Sequence, residues 1–262
     1  MKQGLPALFW GFTMSSMMTA CVSERIYSGT DIPVKERQLD KAAASKERLR
    51  LGLTYLQKGN AEQAKYNLDK AMEYAPESED VYIGMAYYYQ TVGDDKRAEK
   101  AYLNAIETKN ATGDSKNNFG VFLCRKQQYD RAEKMFLAAL NTPKYTRVAS
   151  SYENLGICSR DAGNIAQAKD YFVKALKYDS KRSTARLELV KLSVQEHNFE
   201  FAKDQLTRYH HVIGTSVESL SLGIKIAQNL GDNDQATHYG TQLLSTFPSS
   251  EQAKQYRANL DQ

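Results

Sequence analysis

Apolar and small residues in this chain return in a fixed order about every 34 positions, with polar residues filling the sites between them. Ala64, Ala98, Ala132, Ala168, Ala202 and Ala236 follow one another at intervals of 34, 34, 36, 34 and 34 residues. Counted from Ser45, the first unit carries Leu51-Gly52, Tyr55, Gly59, Ala64, Leu68, Ala71 and Pro76. Small residues at Gly52, Ala64 and Ala71 let two antiparallel helices approach closely, Leu51, Tyr55 and Leu68 fill the gap between them, and Pro76 stops the second helix. No stretch alternates apolar and polar with period two, and glycine recurs at the turn between paired helices, as Gly59, Gly93, Gly163 and Gly231. The pattern therefore predicts helix pairs and no sheet.

Later units begin near Glu79 (Tyr82, Ala86, Tyr89, Gly93, Tyr102, Ala105), Gly113 (Phe119-Gly120, Leu123, Phe136, Ala139) and Ala149 (Leu155-Gly156, Gly163, Phe172, Ala175). Two weaker units begin near Ser183 and Val217. The fifth has Val190 where glycine is preferred, and the sixth has Gly240 at a large-residue site. This is the tetratricopeptide pattern, in which each helix pair buries its apolar face on its neighbours. The expected fold is all-α: a right-handed superhelical solenoid of six repeats, about 45–78, 79–112, 113–148, 149–182, 183–216 and 217–250. The polar segment after Pro248 is expected to form a carboxyl-terminal capping helix.

The front of the chain is different. Residues 1–20 hold one basic residue, an apolar run without acids and small residues before Cys21, as in a secretory leader. Met18-Thr19-Ala20-Cys21 resembles a bacterial lipoprotein box, which implies cleavage before Cys21 and lipidation of its thiol. Val22 after the cysteine, rather than Asp, implies delivery to the periplasmic face of the outer membrane. Residues 21–44 are then the lipidated end and a tether. Two acyl chains or more make such an anchor stable, at about 0.8 kcal/mol per buried methylene.

Net charge is +4, and removing the leader with its one lysine leaves 4 − 1 = +3, too little for a dedicated nucleic-acid protein. No convergent set of titratable groups with catalytic spacing occurs, so no enzyme activity, small-molecule substrate, metal or cofactor is expected. His210-His211 is the one close histidine pair, yet consecutive helical residues point about 100° apart and cannot share a metal from one face. Acids such as Asp94-Asp95 and Glu77, Glu79 and Asp80 sit at turns, where capping is the natural role.

Function is thus expected in a surface. In tetratricopeptide arrays the concave wall is lined by sites two, five, nine, twelve and thirteen of each first helix. Leu49, Leu53, Leu56, Ile83 and Tyr87 fall on such sites and predict an apolar slot for a partner segment, on a wall that becomes polar towards the carboxyl end. Cys124 and Cys158 occupy sites twelve and ten of adjacent first helices, and after lipidation of Cys21 they are the remaining pair in an oxidising compartment; a disulfide between them is expected.

The third and fourth units, with Asn117-Asn118-Phe119-Gly120, Phe122-Leu123-Cys124, Tyr129, Tyr145, Glu153-Asn154-Leu155-Gly156 and Cys158, resemble the PilF/PilW family of type IV pilus biogenesis lipoproteins. The resemblance implies a pilotin: an outer-membrane lipoprotein that binds the secretin subunit of the pilus and promotes its localisation and multimerisation. A second reading of the same repeats is a periplasmic scaffold for β-barrel assembly or for cell-wall enzymes.

Overall fold

The computed structural model describes residues 40–260. The leader, Cys21 and most of the expected tether lie outside the described residues. Within them, six helix pairs follow in order: α1 (Lys41–Gln57) with α2 (Ala61–Tyr74), α3 (Glu79–Thr91) with α4 (Asp95–Glu107), α5 (Gly113–Arg125) with α6 (Tyr129–Leu140), α7 (Val148–Asp161) with α8 (Ile165–Tyr178), α9 (Ser183–Gln195) with α10 (Phe199–Val212), and α11 (Val217–Asn229) with α12 (Asn233–Thr246). A thirteenth helix, α13 (Glu251–Leu260), closes the array, and no strand occurs among the described residues. The first helix starts at Lys41, four residues before the expected boundary, because Lys41-Ala42-Ala43-Ala44 is strongly helix-forming and adds a turn to what the repeat pattern requires.

One device joins the two helices of each repeat. The residue at site fifteen has a positive φ, and the next amide donates back across the turn: Asn60 N to Tyr55 O at 2.9 Å, Asp94 N to Tyr89 O at 2.8 Å and Asp232 N to Ala227 O at 2.9 Å. Such bonds satisfy carbonyls that the helix end leaves unpaired. The same residue then caps the next helix: the Asn60 side chain accepts from Gln63 N, that of Asp94 from Arg97 N and that of Asp232 from Gln235 N. Four repeats place glycine at site fifteen, but Gln127 (φ 59°) and His197 (φ 57°) take the left-handed conformation there as well.

Packing within a pair is set by a small residue facing a large one. A β-carbon on Gly120 would lie 2.7 Å from Phe136 Cε1, and one on Gly156 would lie 2.6 Å from Phe172 Cδ1. Phe136, Phe172, Leu68 and Tyr102 are almost wholly buried. Tyr102, Phe119 and Phe122 form one aromatic group, with centroid separations of 5.4 to 6.2 Å, that ties α4 to α5. Gly240, the irregular site of the sixth repeat, lies against the Tyr256 ring of α13; the capping helix supplies from outside the bulk that the repeat lacks.

Candidate partner-binding groove

Each first helix packs on the first helix of the next repeat, from α1 on α3 to α9 on α11, whereas the second helices have no comparable packing on one another. Unequal spacing bends the stack towards the first helices, so their outward faces form its inner wall. Three zones follow one another along that wall.

The amino-terminal zone is apolar, but it is shallower than the sequence suggests. Leu49, Leu53 and Leu56 are half-buried, Tyr87 is 38% exposed, and Ile83 is buried at 9% exposure. The cause is Gly84, where α1 and α3 come close: a β-carbon there would lie 2.5 Å from Leu49 Cδ1 and 3.8 Å from Leu53 Cδ2. Leu49 therefore packs against the core with part of its side chain still open, and Ile83 belongs to the core, so the expectation that Ile83 lines an open slot is corrected. Leu53, Leu56 and Tyr87 remain partly open. Tyr87 stands edge-on to Tyr102 at 6.3 Å, and Gln90 Nε2 donates to the Tyr102 hydroxyl at 2.6 Å, which fixes the floor beneath it. Burial raises the Tyr87 pKa, so its phenol stays neutral at physiological pH.

The apolar row also runs further than the first two repeats. Site nine carries Leu53, Tyr87, Val121 and Ile157 in four successive first helices, and Val121 and Ile157 are half-buried. Reading site nine alone down the repeats would have found the row. Beside it Cys124 of α5 and Cys158 of α7 lie together, with α-carbons 5.8 Å apart, a separation ordinary for a disulfide. Asn117, which superficially offers a polar clamp, is buried and occupied: its Oδ1 accepts from Ser151 Oγ at 2.9 Å and Asn154 Nδ2 at 3.1 Å. Leu103, Leu137 and Val173 make another exposed apolar row on the second helices. They lie on the outer side of the bend, where a ligand cannot be embraced from several helices at once.

The middle of the wall is ionic and self-paired. Arg160 of α7 pairs with Glu188 of α9; Lys191 donates to Glu188 at 3.0 Å and pairs with Glu218 of α11 at 2.6 Å. Arg182 reaches Glu153 at 3.4 Å, and the Glu153 carboxylate also accepts from Ala185 N at 3.1 Å. Glu153 and Glu188 are largely buried, so these charges hold first helices in register and are not offered to a ligand.

The histidines do not assemble. His210 is half-buried with Nε2 3.0 Å from Ser219 Oγ, His197 sits in a turn, and His211 is exposed. Among the described residues no group of three or more His, Cys, Asp or Glu could hold a metal ion. Asp94 caps α4 as its place at a turn suggested, while Glu79 accepts from Thr112 N and Thr112 Oγ1, both at 2.9 Å, joining the start of α3 to the start of the next repeat.

Comparison with known proteins agrees with the geometry. Tetratricopeptide-repeat models match residues 48–78, 112–142 and 149–182. The chain is 33% identical over 248 residues, 94% of its own length and 96% of the other's, to a protein of Pseudomonas aeruginosa called type IV pilus assembly protein PilF. A solved structure described as a functional characterization of Pseudomonas aeruginosa PilF superposes with a TM-score of 0.69 at 32% identity, covering 84% of this chain and 100% of that one. The crystal structure of PilW, described as a widely conserved type IV pilus biogenesis factor, also gives 0.69, at 26% identity over 80% of this chain and 97% of the other.

Proposed function

Because the chain belongs to the PilF/PilW family of type IV pilus biogenesis proteins, we propose that it is the pilotin of such a system. It is a lipoprotein, held at the periplasmic face of the outer membrane through Cys21, that binds the secretin subunit and promotes its multimerisation. The observation that carries the proposal is the row Leu53, Tyr87, Val121 and Ile157: a continuous, partly open apolar strip on the inner wall of a stiff solenoid. Such a strip suits an apolar segment of another polypeptide, which touches four repeats in one pass. Fully burying an aliphatic side chain is worth roughly 1.5 to 3 kcal/mol. These residues are already half-covered, so about half of that is left for binding at each.

The role needs no bond-making chemistry. An acyl anchor confines each captured subunit to a thin layer, which raises its local concentration and favours ring assembly. No helix of the described residues is long and apolar enough to cross a membrane; on this reading the lipid on Cys21 is the attachment. The Cys124–Cys158 pair, formed in an oxidising compartment, locks α5 to α7 under the middle of the strip.

Leu53→Asp combined with Tyr87→Asp tests the strip, since both side chains are partly open and the array should still fold. Loss of secretin multimers on a gel, with an unchanged circular dichroism spectrum, is expected. Undiminished multimers would remove the strip from the account. Labelled palmitate uptake by the wild type and not by Cys21→Ser tests the anchor separately.

A further inference from the structure

We propose that the carboxyl-terminal end of the same wall is a second subsite, which takes an extended peptide segment bearing a carboxylate. The inference rests on the reading that the wall captures a polypeptide. Between α11 and α13 lie two adjoining hollows of about 520 and 390 Å³, which share Ser221, Lys225 and Gln252. Their lining mixes apolar side chains with uncharged amides and one ammonium, unlike the ionic zone before it. That ladder ends at Glu218, held by Lys191. Beyond it the Lys225 ammonium and the side-chain amides of Gln228, Gln252, Gln255 and Asn259 line the hollows without a hydrogen-bond or ion-pair partner among the described residues. All five residues are exposed.

The chemistry of this lining selects its ligand. Each primary amide presents a donor and an acceptor together, the same complement that a peptide group offers. A helical segment has already paired those groups along its length and would gain little, whereas an extended strand arrives with them open. Lys225 adds one unpaired positive charge, and the one acid in the lining, Glu218, is already engaged, so the local field favours an anionic group near Lys225. Ile224 and Tyr256 give the hollow an apolar floor against which side chains of the strand can rest. A captured polypeptide would thus run with its apolar part on the strip and an acidic residue or its terminal carboxylate at α11 and α13. The ionic ladder between them spaces the two subsites.

The test uses the detergent-solubilised full chain and fluorescent twelve-residue peptides tiling the secretin of the same organism. Each acidic peptide is paired with a counterpart carrying Asn or Gln for Asp or Glu and an amidated terminus. Anisotropy titrations compare the wild type with Lys225→Glu, with Gln228→Ala plus Gln255→Ala, and with Leu53→Asp. We expect at least one acidic peptide to bind Lys225→Glu about tenfold more weakly or worse, the loss typical of a charge-assisted hydrogen bond. Its neutral counterpart should be indifferent to that change, and the double amide variant should weaken both. Equal affinity of every acidic peptide for wild type and Lys225→Glu overturns the subsite. If binding then fails only in Leu53→Asp, capture by the strip stands without it. Failure in Lys225→Glu alone keeps the subsite and removes the strip, and no binding by the wild type removes both.

Discussion

Replacing Gln127 with glycine should stabilise this protein, although the substitution deletes a side chain and adds flexibility. Gln127 stands at site fifteen of the third repeat with φ of 59°, in the turn where Gly59, Gly93, Gly163 and Gly231 have φ between 73° and 84°. A side chain in that conformation costs roughly 1 to 2 kcal/mol through crowding of its β-carbon against the backbone. Glycine removes the crowding but loses about 0.5 to 1 kcal/mol in extra unfolded-state entropy. The net expectation is a gain of about 0.5 to 1 kcal/mol. No hydrogen bond of the Gln127 side chain subtracts from it among the described residues. His197 repeats the geometry at φ 57°, but its ring stands edge-on to Phe199 at 5.7 Å, so His197→Gly forfeits a contact and should gain less. The converse change, Gly163→Gln, should destabilise by about 1 kcal/mol through conformation alone, since nothing lies within 4 Å of a β-carbon there. Urea denaturation followed by circular dichroism orders the three variants. The two turns are far apart, so the first two effects should add. A Gln127→Gly protein less stable than wild type would refute the reasoning, because it would mean that the turn tolerates a side chain without strain.

Two further outcomes follow from the carboxyl-terminal repeat. Gly240→Ala should loosen α13, because the new methyl group displaces the tip of the Tyr256 ring from the space it holds; hydrogen exchange should quicken at residues 251–260 and stay slow in α3 to α8, and uniform protection would contradict this. Stability should also fall as pH drops below about 6.5. Burial lowers the His210 pKa from 6.5, so the unfolded chain takes up a proton that the folded chain resists until the pH passes the lower folded value. His210→Gln should flatten that part of the pH profile, and an unaltered slope would exclude His210 as its source.

What could be read in advance was whatever depends on one repeat and its period. The recurring alanines, the Gly52, Gly120 and Gly156 sites and the turn residues act locally or against the helix one turn away, so a 34-residue spacing is enough to place them and to announce an all-helical solenoid. The inner wall was legible only in outline, because which site faces the groove follows from register, but how far each side chain stays open follows from how closely neighbouring repeats approach. Gly84 is the instance: where it admits α1 against α3, Leu49 is pressed half-buried against the core and Ile83 is buried. The pairing of Arg160, Glu188, Lys191 and Glu218 likewise needs three first helices side by side, and the partner of Gly240 comes from a helix outside the repeat pattern altogether. Sequence periodicity determined the repeat, and the particular residues of the third and fourth units carried the family resemblance; only contacts between repeats decided which apolar and charged groups were left for another molecule.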